Sequence, residues 1–267
     1  MIKYAGIDMP PLPFMETHEI EAMFALLRLL DHPIQALEWG SGASTFYYGS
    51  RLLPGSTWHA VEHDDGFWYE QTSYEAKRWG SDRIVVSQVT PNIPRQNADG
   101  YDEDFAAFRD YILFPSKQDK QFELILVDGR ARIACMAVGW ELLQDDGVMI
   151  LHDAERPEYQ PGIPTDCYQI RLSAYSARVN GPVELLLMAK KADLLVRLER
   201  QLRRSMPPGV SISSNLPPAA PARRVLFLNT YYQAFMNDLY AQQPELNTLP
   251  YYQQKRVLID SCFGDSD

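Results

Sequence analysis

The stretch "ALEWGSGAST" (residues 36–45) joins an apolar run to two closely spaced glycines and two hydroxyl residues. Glu38 stands near the end of the apolar run, and Gly40 and Gly42 follow it. Because glycine lacks a Cβ atom, this turn can take unusual backbone angles and let a ligand lie against the main chain. The same glycines also suit an ordinary tight turn. The rest of the sequence has to decide between a ligand cradle and a simple turn.

Five short apolar runs predict the strands of one sheet, and stretches of helical character lie between them. This alternation is typical of a mostly parallel sheet with helices on both faces. A further helix is expected before the first strand, in "METHEIEAMFALLRLL" (15–30), with Thr17 as its N-cap. The predicted strands are 34–39, 57–63, 83–89, 122–128 and 147–153, and the helices between them are about 43–52, 65–79, 103–112 and 131–144.

Residues 168–190, "YQIRLSAYSARVNGPVELLLMAK", predict two further strands around Asn180-Gly181-Pro182, a turn sequence that favours an antiparallel hairpin. We expect the sheet to end there. The predicted fold is a Rossmann-like, doubly wound α/β domain with a mostly parallel, seven-stranded sheet and a C-terminal antiparallel hairpin. The domain should span 1–190, followed by a helix and a Pro-rich linker over 191–223 and a new βα unit over 224–267.

Composition limits the classes of function. The formal net charge of −10 over 267 residues argues against a nucleic-acid-binding protein. Three widely spaced cysteines suggest neither a disulfide framework nor a zinc site. The N-terminus lacks the features of a signal peptide, and no apolar run approaches the length of a membrane span. A soluble, cytoplasmic protein is predicted.

Two acids at the ends of the first two strands favour a ligand site. In an open α/β sheet, ligands bind beyond the carboxyl ends of the strands, which is where Glu38 and the glycine turn belong. Glu62 follows 24 residues after Glu38, near the spacing of about 20 expected for an acid that binds ribose hydroxyls. An exposed acid beside a glycine turn is the alternative for Glu38.

The next two strand ends also carry polar side chains. Asp128 and Asp153 should reach the same edge of the sheet, where carboxylates can bind Mg²⁺, orient a hydroxyl or cap a helix. His152 is a candidate general base, or a packed and hydrogen-bonded residue. Arg130 and Arg156 can recognise a carboxylate or phosphate of a substrate, or pair with acids on the rim.

These motifs together resemble those of the class I S-adenosylmethionine-dependent methyltransferases, over about residues 16–190. The matching stretches are "LEWGSGAST", "HAVEHD", "LILVDGR" and "GVMILHD". The resemblance implies that Glu38, Gly40 and Gly42 meet the methionine end of the cofactor, and that Glu62 binds its ribose. It also places Ser44 and Asp128 in the cofactor site, with Ser44 standing where the family often has a third glycine.

The acids after the fourth and fifth strands resemble those of cation-dependent O-methyltransferases, which implies Mg²⁺ at Asp128 and Asp153. "VDGRAR" and "LHDAERPEY" are similar to methyltransferases that modify glycans, so a sugar hydroxyl is the expected acceptor. Residues 224–267 resemble the opening of a spore-maturation-protein-type glycosyltransferase, which implies a longer, bifunctional protein. The alternative for residues 224–267 is an extension that docks on the first domain. The alternatives for the function are a noncatalytic scaffold module and a nicotinamide-dependent oxidoreductase.

Overall fold

The computed structural model describes residues 12–64, 66–78, 82–94 and 101–215. The strands are β1 (Gln35–Trp39), β2 (Thr57–Glu62), β3 (Ile84–Gln88), β4 (Phe122–Val127), β5 (Leu143–Leu151), β6 (Tyr168–Ser176), β7 (Gly181–Ala189) and β8 (Ser211–Asn215). The helices are α1 (Thr17–Leu29), α2 (Ala43–Gly49), α3 (Phe67–Arg78), α4 (Arg109–Leu113), α5 (Arg132–Leu142) and α6 (Ala192–Ser205). The described strands form one sheet in the order β3-β2-β1-β4-β5-β7-β6-β8.

The centre of the sheet is parallel and buried on both faces, as predicted. β1 pairs in parallel with β2 and β4, and β4 pairs in parallel with β5. Successive side chains of a strand point to opposite faces, so Leu37 and Trp39 pack in the core beside α4 and α5, whereas Ala36 packs in the core beside α1 and α6. The carboxyl ends of β1, β2, β4 and β5 therefore meet at one edge.

The antiparallel hairpin of β6 and β7 is confirmed, and β7 pairs with β5. Asn180 lies in its turn with a φ of 53°, a left-handed conformation that asparagine tolerates. The predicted α/β fold, with its mostly parallel sheet and terminal hairpin, is thus confirmed.

The prediction that the sheet ends at this hairpin is wrong. β8 pairs antiparallel with β6 and adds an eighth strand at the edge, although its segment, "SISSN", was expected to belong to the Pro-rich linker. The predicted helix precedes it as α6, with Leu195, Leu198 and Leu202 fully buried in the core beside α1. Pairing with β6 satisfies one side of the β8 main chain, so this strand forms with little apolar content of its own.

Two local predictions also need correction. The N-cap of α1 is Glu16 rather than Thr17, and the Glu16 N–H donates to Oε2 of Glu19 at 2.7 Å. The helix expected over 103–112 is reduced to α4. Asp104 precedes it and accepts a hydrogen bond from the Ala106 N–H at 2.8 Å, a local side-chain contact that competes with helix formation.

The predicted βα unit over 224–267 lies outside the described residues. Within the described part of the chain, no helix has the length and apolar character that crossing a bilayer requires. The cytoplasmic location stays a prediction.

Candidate functional site

A pocket of about 310 Å³ opens at the edge where β1, β2 and β4 end. This volume lies at the lower end of the range for small-molecule sites. Its walls come from the segment before α1 and from the turns after β1, β2, β4 and β5: Pro13, Phe14, Met15, Gly40, Ser41, Gly42, Ala43, Ser44, Glu62, His63, Asp128, Gly129, Arg130, Arg132 and Arg156.

The glycine turn lines this pocket, and its two glycines have different roles. Gly40 has a φ of 91°, and a Cβ atom there would lie 2.5 Å from the Cα of Gly129 in the turn after β4. Gly42 has an extended φ of −173°, and a Cβ atom there would meet little more than the Ser44 Oγ at 4.0 Å. Gly40 is therefore required by the backbone, whereas Gly42 leaves room beside the pocket.

Glu38 lies beneath the glycine turn rather than in the pocket. Its fully buried carboxylate accepts hydrogen bonds from Thr45 Oγ1 at 2.6 Å, from Trp58 Nε1 at 2.7 Å and from the Ser44 hydroxyl. Burial raises the pKa of Glu38 to about 8, against the opposing effect of these three donors. Ser44 and Thr45 thus tie the turn to β1 through Glu38, and the predicted contact of Glu38 with a cofactor stays a prediction.

Glu62 does line the pocket. Its Oε2 accepts from the N–H of Ser41 at 2.7 Å and from the Ser41 hydroxyl at 2.8 Å, and its Oε1 accepts from the N–H groups of His63 and Asp64, both at 2.9 Å. Burial opposes the charge of Glu62, but His63 and the donors of Asp64 and Ser41 together hold its pKa below the ordinary value. The sequence placed this acid at the site, and the structure brings it beside the glycine turn.

Asp128 also lines the pocket, and His152 lies against it. His152 Nδ1 lies 2.9 Å from Asp128 Oδ1, and its Nε2 lies 3.6 Å from Oε2 of Glu19 in α1. His152 is only 7% exposed and is not among the pocket-lining residues. Burial disfavours the charged imidazole, but Asp128 and Glu19 raise the pKa of His152 well above its ordinary value. His152 thus lies against Asp128 behind the pocket lining, and its role as the general base stays a prediction.

Arg132 is the main residue of the site that the sequence analysis missed. Its guanidinium bridges the two strand-end acids, at 3.1 Å from Asp128 Oδ1 and 3.2 Å from Asp153 Oδ2. Burial opposes the charge of Asp128, yet His152 and Arg132 lower its pKa below the ordinary value. The four-residue spacing from Asp128 into the first turn of α5 was a signal that could have indicated Arg132.

Arg130 and Arg156 line the pocket while paired with rim acids, the alternative left open by the sequence. Arg130 Nη1 lies 2.7 Å from Asp102 Oδ2, and Arg156 Nη2 lies 2.7 Å from Asp153 Oδ2. Both side chains remain partly exposed, so these pairs stand at the pocket mouth rather than in the core.

The predicted Mg²⁺ ligands Asp128 and Asp153 form a group with His152 whose ligand atoms lie within 4.8 Å of one another. Distance alone would therefore permit a metal ion. Both carboxylates, however, also contact Arg132, and Asp153 contacts Arg156. The guanidinium groups of Arg132 and Arg156 thus supply positive charge next to both carboxylates.

No protein-family model matches the chain, and no curated protein matches it. Similar solved structures include an O-methyltransferase from Bacillus cereus in complex with SAH (14% identity over 68% of this chain and 84% of that chain, TM-score 0.49). A second is the O-methyltransferase TomG from Streptomyces achromogenes in complex with SAM (14% identity over 67% of this chain and 83% of that chain, TM-score 0.47). A third is the N-methyltransferase NodS from Bradyrhizobium japonicum (14% identity over 65% of this chain and 97% of that chain, TM-score 0.40). Similarity at this level carries no information on what this chain binds or catalyses.

Proposed function

We propose that this chain is an S-adenosylmethionine-dependent O-methyltransferase. The observation that carries the proposal is the pocket at the strand ends, which brings together the glycine turn, Glu62 and Asp128. The sequence motifs that resemble class I methyltransferases supply these same residues. The fold and the motifs therefore support one function.

The residues on the glycine side fit the cofactor. Gly42 leaves open space where a Cβ atom would otherwise project, and Glu62 lines the pocket, where a ribose hydroxyl would replace the Ser41 hydroxyl as a donor to Oε2. Ser44 lines the same pocket, with its hydroxyl committed to Glu38. When bound, the cofactor would supply a methyl group activated on a sulfonium.

Asp128 is the residue we assign to proton transfer. Within the described residues, the hydrogen bonds that its side chain accepts end on Oδ1, and the carboxylate is 23% exposed in the pocket. Oδ2 is thus the oxygen available to an acceptor hydroxyl. It would take the hydroxyl proton as the acceptor oxygen forms its bond to the methyl carbon, while the bond from that carbon to the sulfonium sulfur breaks and the sulfur would leave as a neutral thioether. His152 and Arg132 keep this carboxylate ionised for that role.

A sugar hydroxyl of a glycan or polysaccharide is the proposed acceptor, and this choice rests on the resemblance of the motifs. Arg130 and Arg156 at the pocket mouth favour an acceptor that carries a carboxylate or phosphate, because guanidinium groups match those anions. A glycosyltransferase fused or associated through residues 224–267 would act on the same glycan, and this too is a proposal.

Isothermal titration with S-adenosylmethionine tests the cofactor assignment. We expect a dissociation constant between about 1 μM and 1 mM, the range typical of enzyme substrates. No heat of binding at millimolar cofactor, with NAD as the comparison ligand, contradicts the proposal. A labelled-methyl assay on neutral, uronic and phosphorylated sugars follows, and binding without transfer to any of them would favour the noncatalytic module.

A further inference from the structure

The guanidinium of Arg132 occupies the centre of the strand-end cluster. Its side chain is 8% exposed, and its Cζ lies 5.1 Å from the centroid of the Tyr159 ring, which covers it. A buried cation of this kind is costly unless it is paired and hydrogen-bonded. The partners of Arg132 therefore show what the cluster is built to do.

All five N–H donors of this guanidinium have acceptors at the ends of β4 and β5. Nε donates to the Gly129 carbonyl at 3.0 Å. Nη1 donates to the His152 carbonyl at 2.5 Å and to Asp153 Oδ2 at 3.2 Å. Nη2 donates to the Asp128 carbonyl at 3.3 Å and to its Oδ1 at 3.1 Å. A guanidinium has five donors, so Arg132 is fully satisfied where it lies.

These contacts do not fit a divalent metal ion at the predicted site. Asp128 Oδ1 and Asp153 Oδ2 are bound to Arg132, and Arg156 binds Asp153 Oδ2 as well. A metal ion would have to use the second oxygen of each carboxylate, and it would stand next to a buried positive charge. A divalent cation and a guanidinium in contact with the same carboxylates repel each other strongly, because little water screens buried charges.

We propose that Arg132 takes the place of a divalent cation in this site, so that the site works without a metal. Arg132 is then a positioning residue. It balances the charge of Asp128 and Asp153, and it holds Asp128 Oδ1 so that Oδ2 faces the pocket. The role in methyl transfer rests on the proposed function, whereas the exclusion of metal rests on the contacts of Arg132 alone.

A purely structural clamp would explain the same contacts, so the test needs a property that such a clamp would not change. Metal affinity is this property. Replacing Arg132 by Ala leaves two carboxylates and one imidazole with ligand atoms within 4.8 Å of one another, a donor set that suits Mn²⁺. If Arg132 stands in for a cation, its removal should create a metal site.

Mn²⁺ binding, followed by electron paramagnetic resonance, tests the proposal first on the full-length wild-type chain without cofactor or acceptor. We expect no binding at the cluster at about 1 mM Mn²⁺, a concentration at which even weak carboxylate sites fill. EDTA should also leave the rate of methyl transfer unchanged. Binding of Mn²⁺ to the wild-type chain that Asp153→Asn removes would overturn the proposal.

The second arm uses Arg132→Ala, with Arg130→Ala as the matched control that removes a pocket arginine without freeing the acid pair. Arg132→Ala should bind about one Mn²⁺ per chain, lose it in the double variant with Asp153→Asn, and gain melting temperature on adding Mn²⁺. Arg130→Ala should show none of these changes. A folded Arg132→Ala that binds no Mn²⁺ would count against the proposal.

If Arg132→Ala does not fold, Arg132→Lys replaces it, because the ammonium keeps one positive charge between the acids. This variant should exclude Mn²⁺ as the wild type does, and Mn²⁺ binding by it would contradict the assigned role of the charge. Titration with S-adenosylmethionine is measured separately. Loss of the proposed function would therefore appear there and leave the Mn²⁺ result intact.

Discussion

The two walls of the pocket hold their carboxylates by different means. On the first wall, made by the glycine turn and Glu62, the acid is held by three main-chain N–H groups and the Ser41 hydroxyl, and the His63 Nδ1 lies 3.0 Å from its Oε1. On the second wall, made by Asp128 and the arginines that follow β4 and β5, the acid is held by an imidazole and a guanidinium. Main-chain and hydroxyl donors predominate on the first wall and suit the recognition of hydroxyls, whereas the guanidinium of the second wall suits the handling of a proton. The difference suggests that binding and chemistry are divided between the walls.

The largest expected effect tests the second wall. Asp128→Asn keeps the shape of the side chain but removes the base, so kcat should fall by about 10²- to 10⁴-fold, the usual range for general base catalysis. Cofactor affinity should change much less. Single-turnover methyl transfer and calorimetry on the same sample separate the two quantities.

Asp153→Asn is the control for this variant, because the Asp153 carboxylate contacts Arg132 and Arg156. A smaller loss of kcat is expected for it. If Asp128→Asn instead weakened cofactor binding and left kcat unchanged, the division between the walls would be wrong.

A smaller effect is expected on the first wall. Glu62→Gln replaces a charged acceptor in the pocket, and cofactor binding should weaken by about 1–3 kcal/mol, the cost of losing a hydrogen bond to a charged group. Glu38→Gln is the matched control, since Glu38 lies beneath the turn and outside the pocket lining. Calorimetric titration of both variants should show the loss for Glu62→Gln alone. Equal losses would mean that both acids act by shaping the turn.

The last expected effect concerns a different quantity, the pH dependence of stability. The pKa of Glu38 is raised by burial to about 8, above its ordinary value of 4.5, so folding favours the protonated form. The stability from this group is complete below about pH 4.5 and is lost as the pH rises through about 8. Urea unfolding between these values should show the wild type losing stability relative to Glu38→Gln. Parallel curves for the two proteins would show that Glu38 is not held neutral by the fold.

The sequence predicted the first wall better than the second, for a physical reason. Strand periodicity and the paired glycines are local patterns, and they placed Gly40 and Glu62 at the correct edge of the sheet. The second wall depends on contacts between distant segments. Arg132 binds Asp153 and the His152 carbonyl, about 20 residues away, and its four-residue spacing from Asp128 was a weak local signal beside Arg130.

The environment of Glu38 and the edge strand β8 also depend on contacts that local sequence patterns do not contain. Glu38 follows the apolar pattern of its strand, and only the arrangement of Ser44, Thr45 and Trp58 around it shows that it faces away from the pocket. The edge strand β8 was missed because a serine-rich segment after prolines has the composition of a linker. Its structure comes from pairing with β6, which the composition does not record.

The close approach of Gly40 and Gly129 has a mechanical consequence. A Cβ atom on either glycine would lie within 3.0 Å of the other's backbone. The turns after β1 and β4 are therefore in direct backbone contact. Neither turn can shift toward the other, so a ligand that pushes the glycine turn toward β4 would also displace the turn that carries Asp128. Any such displacement would be local and would need no domain movement.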